Sequence, residues 1–260
     1  MGQLTDTQTL GCQYGTADKL NTRISIHAKY SVNRQGFGNW ITEHYRFPDR
    51  ASVLEVGCGT GDMWKGKSDI IARCGRLILS DYSAGMLDQA KETLGNESRI
   101  EYRIVDIQRI PYPDRSFDAV IANMMLYHVP DLNQGLSEVR RVLKEGGFFC
   151  CATYGENGMM EYIGSLFSEY GIDTRVNSNF TLQNGAEKLR PYFAEVERDL
   201  YEDALLVTDA EDLVDYIFSL TGMTDLRKLP RETVREVLSR HMEDGALRVP
   251  KEYGMFIARK

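Results

Sequence analysis

The sequence predicts an α/β fold built on a mainly parallel sheet, and three observations predict it. Short apolar runs alternate with helix-patterned segments between residues 52 and 154, the order expected of βαβ units. The run VLEV, residues 53–56, passes directly into Gly57-Cys58-Gly59-Thr60-Gly61, a glycine-dense turn of the kind that joins a buried strand to a helix beside a ligand. Acids end the next two apolar runs, Asp81 and Asp106, at the carboxyl ends of strands where ligands of open α/β sheets bind.

Each element has its own signal. Ser52 to Val56 reads as the first strand, and Asp62 to Arg73 as a helix weakened at its start by Gly66 and closed at Gly75. Arg76 to Ser80 is the second strand. Ala84 to Leu94 sets Met86, Leu87, Ala90 and Leu94 on one helical face, with Ser83 as N-cap and Gly95 as the terminating glycine. Ile100 to Val105 is the third strand, and DAVIANM from Asp118 the fourth. Leu132, Leu136, Val139 and Leu143 give the next helix its stripe, and Gly146-Gly147 is expected to turn the chain into FFCCATY, the fifth strand.

Beyond Glu156 a helical stretch reaches Tyr170, and a polar, turn-rich connection leads to the β-like runs VERDLYEDALLV and EYGMFIARK. Between those runs lie two helical patterns, DAEDLVDYIFSLTGM and LPRETVREVLSRHM. A helical segment from Ala17 to about Tyr45 precedes the first strand.

Bulk properties narrow the function. A chain of 260 residues with 42% hydrophobic side chains fits one main domain with a sizeable core. No apolar run is long enough to span a membrane and MGQLTDTQTL has no signal-peptide pattern, so a soluble, cytoplasmic protein is expected. Cysteines 12, 58, 74, 150 and 151 contain no C-x-x-C pair, so no disulfide framework and no zinc or other metal site is expected; they read as small buried hydrophobes. The net charge of -7 disfavours a nucleic-acid partner, although Arg227 to Lys260 holds nine Lys/Arg against five Asp/Glu.

The glycine loop admits three ligands. A phosphate-binding loop needs a Lys-Ser or Lys-Thr after its last glycine, and here Asp62-Met63-Trp64 follow. A dinucleotide fingerprint needs a third glycine at residue 62, where Asp62 stands; that reading is weakened and stays open. A nucleoside without phosphates needs a carboxylate for its ribose hydroxyls, which Asp81 supplies in either of the last two cases. Asp106 adds an acceptor for an adenine amine, with the Ile107 amide and side chain beside it.

Together the segments EVGCGTG, DYSxxML, VDI, FDAVIAN and RRVLKEGG resemble, in order and spacing, the class I S-adenosylmethionine-dependent methyltransferases, particularly the type 11 and ubiquinone/menaquinone-biosynthesis-like group. The resemblance covers about residues 50 to 155. It implies a Rossmann-like seven-stranded, mostly parallel sheet with an antiparallel last hairpin. An N-terminal helical cap over residues 1–50, a cofactor-binding domain over 51–207 and 251–260, and a helical insertion over 208–250 complete the implied organisation.

Carried over residue by residue, the resemblance implies that Glu55 and the backbone of Gly57, Cys58, Gly59 and Gly61 surround the methionine portion of S-adenosylmethionine. Asp81 would hold the ribose, Tyr82 and Met86 would wall the adenine, Asp106 and Ile107 would meet its edge, and Asn123 would face the cofactor. Arg23, His27 and Tyr30 share one helical face with Asn33 nearby; they form either a solvated surface or a closing cap, with Tyr30 a cofactor contact in the second case. Leu213, Tyr216, Ile217 and Leu220 form a stripe that reads as core, or with Phe218 and Met223 as the roof of a pocket.

Methyl transfer from a sulfonium is an in-line displacement, served mainly by positioning, and an acceptor with a proton to lose also needs a base. Tyr127, His128, Tyr154 and Glu156 lie near strand ends, and His128 in LYHVPD is either a structural or cofactor-adjacent residue or the base. The expected function is S-adenosylmethionine-dependent methylation of a small molecule at oxygen, nitrogen or carbon, yielding S-adenosylhomocysteine, by a monomer or homodimer. RNA or protein methylation, a nicotinamide-dependent oxidoreductase and a non-catalytic cofactor binder are the alternatives.

Overall fold

The computed structural model describes residues 17–95, 97–172, 177–220 and 225–260; Cys12 and Met223 lie outside them. Its centre is one seven-stranded sheet: β1 (Ala51–Val56), β2 (Cys74–Asp81), β3 (Ile100–Ile104), β4 (Phe117–Ile121), β5 (Leu143–Tyr154), β6 (Glu195–Val207) and β7 (Leu247–Arg259), in the order β3-β2-β1-β4-β5-β7-β6. β1 pairs in parallel with β2 and β4, β2 with β3, and β4 with β5. β7 runs the other way, because Gly146 and Gly147 at the start of β5 exchange backbone hydrogen bonds with Lys260 just past its end. Ala194, just before β6, likewise donates to Arg259 of β7, so the last hairpin is antiparallel as the resemblance implies.

Nine helices are described: α1 (Ala17–Tyr30), α2 (Phe37–Glu43), α3 (Ser68–Arg73), α4 (Ala84–Leu94), α5 (Leu132–Val142), α6 (Met159–Leu166), α7 (Gly185–Leu189), α8 (Ala210–Ser219) and α9 (Arg231–Arg240). α4 has the expected bounds, its Ser83 hydroxyl accepting from the Met86 amide at 3.4 Å. Three expectations need correction. The helix over 62–73 is a 3-10 turn, Asp62–Trp64, followed by α3, because Gly66 at φ +72° breaks the run. The N-terminal helix stops at Tyr30, where Ser31 bridges to Leu205 and the Val32 amide donates to the Ala204 carbonyl. Gly146 and Gly147 lie inside β5, where the register against β4 shifts, so they form an irregularity in a strand that starts at Leu143.

The chain packs as two compact units. The sheet unit comprises Phe37–Thr153, Asn179–Asp199 and Gly254–Lys260. Alternation along β1 sends Leu54 and Val56 to one face, with Ile78, Phe117, Leu136 and Phe149. Val53 goes to the other, with Leu77, Leu79, Ile121 and Trp64. Residues 37–50 pack with this unit, Ile41 and Phe47 being buried beside Trp64 in the second cluster.

The helical unit comprises the described parts of Met1–Gly36, Tyr154–Ser178 and Leu200–Tyr253. Ile26 and Tyr30 of α1, Ile163 of α6, Leu213 and Ile217 of α8, and Val234 and Leu238 of α9 share its core. A buried ion pair joins Lys251 to Asp203, and Ser31 bonds to both. Among the described residues no helix is long and apolar enough to cross a membrane.

Candidate cofactor site

Strand order reverses between β1 and β4, which pair side by side in parallel, and this is where an open α/β sheet leaves a crevice. The loop after β1 fills that position. Gly57, Gly59 and Gly61 have φ of +76°, +55° and +77°, the left-handed region in which a side chain is strained. At Gly57 a Cβ would also stand 2.8 Å from Cγ of Met125, whereas at Gly59 it would meet nothing within 4 Å. The loop therefore leans on the sheet at Gly57 and opens to free space at Gly59.

Asp81, at the end of β2, ties the loop to the next βα turn. One carboxylate oxygen accepts from the Gly59 amide at 3.0 Å, the other from the Ser83 amide at 2.8 Å. The Tyr82 amide is a third donor, and of the carboxylate's roughly four acceptor positions these leave room for a further hydroxyl. Burial pushes its acidity down, raising its carboxyl above the ordinary range, and the amide donors work against that rise.

Glu55 is the second acid of the crevice and is almost completely buried, on the same face of β1 as Val53. The indole Nε1–H of Trp64 donates to it. Burial raises its carboxyl to about 7; the Asp81 charge adds to the rise, while Trp64 and the Asn123 amide oppose it. Asn123, two residues past β4, donates from Nδ2 to the Tyr45 hydroxyl at 2.8 Å and accepts at Oδ1 from the Ala152 amide at 3.1 Å. Ser80 Oγ donates to the Glu55 carbonyl at 2.6 Å, and the Cys58 amide to the Ser80 carbonyl at 2.9 Å. Cys58 itself is buried, and burial raises its thiol well above the usual value, so it packs as a small apolar group.

The remaining predicted residues are placed as follows. Tyr82 is 57% exposed, its ring open at the mouth of the β2–α4 turn, whereas Met86 is buried in the interior. Asp106 accepts from the Gln108 amide at 2.9 Å, closing a turn after β3. The Ile107 side chain belongs to the core, and a Cβ on Gly135 would meet it at 3.4 Å. His128 ends a 3-10 turn, Leu126–His128, after β4, with its ring 4.4 Å from that of Tyr127.

The sheet unit thus brings together Glu55, the glycine loop, Asp81 and Asn123. Tyr30 is in the helical unit, buried, with its hydroxyl on Asp212. In that same unit His27 lies between the rings of Tyr216 and Tyr253, and burial followed by the nearby Lys251 charge pushes its imidazole down to about 3. Leu213, Tyr216 and Ile217 are core there, and Asn33 bonds through its amide to Asp203.

Sequence reasoning missed Trp64, Tyr45 and Met125. Trp64 had one available signal, an aromatic in the turn directly after a ligand loop; Tyr45 and Met125 had none.

The crevice thus holds a glycine loop with open space at its centre, a strand-end carboxylate held by backbone amides and, among the described residues, a second buried acid with no cation beside it. Residues 54–151 match the methyltransferase domain family.

The chain is 38% identical over 100 residues to a ubiquinone/menaquinone biosynthesis C-methyltransferase of Hahella chejuensis, covering 37% of this chain and 40% of that one. It is 32% identical over 155 residues to a malonyl-[acyl-carrier protein] O-methyltransferase of Yersinia pestis, covering 58% and 54%. The chain thus spans about half or less of the length of these two relatives.

Two solved structures share the fold. A Bacillus halodurans protein described as a methyltransferase has a TM-score of 0.61 at 16% identity, covering 86% of this chain and 98% of that one. A phosphoethanolamine N-methyltransferase of Haemonchus contortus, solved with S-adenosylhomocysteine and phosphomonomethylethanolamine, has a TM-score of 0.58 at 18% identity, covering 100% and 60%.

Proposed function

We propose that the protein transfers a methyl group from S-adenosylmethionine to a small-molecule acceptor at oxygen, nitrogen or carbon. The observation that carries this reading is Asp81, at the end of the strand beside the switch point, held by the Gly59 and Ser83 amides with acceptor capacity left for a ribose hydroxyl. Glu55, the loop backbone, Asp81, Tyr82, Asp106, the Ile107 amide and Asn123 form the proposed seat. The cofactor supplies the electrophilic methyl group; the protein's part is to hold it in line with the acceptor atom.

His128, on the turn after β4, is the proposed base for an acceptor that must lose a proton. The net charge of -7 supports an acceptor other than nucleic acid. Free Cys58, Cys74, Cys150 and Cys151 support a reducing, cytoplasmic setting.

The test is incubation with methyl-labelled S-adenosylmethionine and a metabolite extract, followed by mass spectrometry. A compound heavier by the labelled methyl, formed together with S-adenosylhomocysteine, is the expected result. Label that appears only on added RNA or protein would refute the small-molecule reading.

A further inference from the structure

Among the described residues Glu55 is a buried acid with no cationic neighbour, and it lies in the proposed seat of a cationic cofactor. The groups that face it are the Asp81 carboxylate at the end of β2, the Asn123 amide after β4, the Trp64 indole, the Tyr45 phenol and the Cys58 thiol. Among the described residues no Lys, Arg or His forms an ion pair with it. Burial and Asp81 favour the neutral acid, and the donors Trp64 and Asn123 favour the carboxylate.

The two donors are not equivalent. Asn123 divides its amide between Glu55 and Tyr45, and its oxygen is fixed by the Ala152 amide. Trp64 has a single N–H, donor only, in a ring that is 1% exposed, and that N–H goes to Glu55. Local backbone places it there. The turn Asp62–Trp64 begins after Gly61 at φ +77° and ends before Gly66 at +72°, and the indole packs 6.1 Å from the ring of Tyr45.

We propose that Trp64 is a positioning residue for the cofactor: its indole N–H holds Glu55 as an aimed carboxylate, which then pairs with the ammonium group of the cofactor's methionine end. The proposal rests on the S-adenosylmethionine reading and deepens it. When the cofactor docks near neutral pH, the fraction of Glu55 still protonated gives its proton to solvent, and the carboxylate left behind takes the ammonium as its counter-ion. Cofactor affinity is then linked to pH through Glu55, and Trp64 sets where on the pH scale the linkage falls.

The experiment is calorimetric titration of the full chain with S-adenosylhomocysteine between pH 6 and 8, for wild type, Trp64→Phe and Glu55→Gln. Wild-type affinity is expected to rise with pH and to level off above about 7. In W64F the curve is expected to keep its shape but move up by about one pH unit, so that affinity is about ten-fold lower at pH 6.5 and only about two-fold lower at pH 8. E55Q should bind weakly and without pH dependence.

Wild-type titrations at pH 6.5 in two buffers of different ionisation enthalpy should also show proton release, a measurement that stands if W64F does not fold. Equal weakening of W64F at every pH, or no proton release by wild type, overturns the proposal. Failure of wild type to bind at any pH overturns the cofactor reading itself, a result distinct from either.

Discussion

Replacing Glu55 by glutamine is expected to stabilise the ligand-free protein at alkaline pH. The carboxyl titrates near 4.5 in an unfolded chain and at about 7 in the fold, with burial as the main cause. Between those two values the folded protein keeps a proton that the unfolded chain has lost, so stability falls as pH rises through that window, and above it the loss is complete. At 1.36 kcal/mol per pH unit the loss amounts to about 3 kcal/mol, a large fraction of a typical domain's stability. Glutamine keeps the shape and an oxygen for the Trp64 indole but has no proton to lose.

The assay is urea unfolding of both proteins without ligand at pH 5 and pH 8. At pH 5 the wild-type acid is mostly neutral and the two should agree within about 1 kcal/mol; at pH 8 E55Q should be more stable by roughly 2–3 kcal/mol. Equal differences at the two pH values, or a wild type that is the more stable at pH 8, would refute the account of Glu55 as an uncompensated acid. The same substitution should cost cofactor affinity, the trade expected where a site stores strain for its ligand.

The other two expectations concern separate parts of the chain. Asp203→Asn should destabilise the helical unit by about 3–5 kcal/mol in urea unfolding, because it leaves the Lys251 ammonium buried without its charge partner. A D203L/K251M double variant should recover much of that loss, and no recovery would argue against the ion pair as the cause. His128→Ala should lower kcat by about 10²–10⁴ and remove one limb of its pH profile once an acceptor is in hand, while S-adenosylhomocysteine affinity holds. An unchanged profile in a folded variant would assign His128 a purely structural role.

Legibility in the sequence followed the range of the forces involved. The ends of α4 were readable because Ser83 and Gly95 act through their own backbone neighbourhood. The parallel strands up to β4 were readable because a buried strand is a short apolar run between turns. β5 and β7 start earlier than their apolar runs suggest: Gly146-Gly147 looks like a turn and β7 begins at Leu247, ahead of EYGMFIARK, because pairing with neighbouring strands carries both through.

The site divides in the same way. Asp81 and the glycines declare themselves by spacing, since the chemistry needs them at fixed distances along a βαβ unit. Trp64 and Tyr45 do not, because their contacts with Glu55 and Asn123 exist only once β1, β4 and the residues before β1 have packed. The bond from the Tyr30 hydroxyl to Asp212 is of the same kind, a long-range contact with no signal in the sequence.

The central claim is that Asp81 and the loop after β1 seat S-adenosylmethionine. Calorimetric binding of S-adenosylhomocysteine to wild type and to Asp81→Ala tests it most directly, with NADH as the competing ligand. Wild type should bind S-adenosylhomocysteine and not NADH, and D81A should lose about 1–3 kcal/mol of that affinity while still folding. Equal affinity in the two proteins, or preference for NADH, would contradict the account.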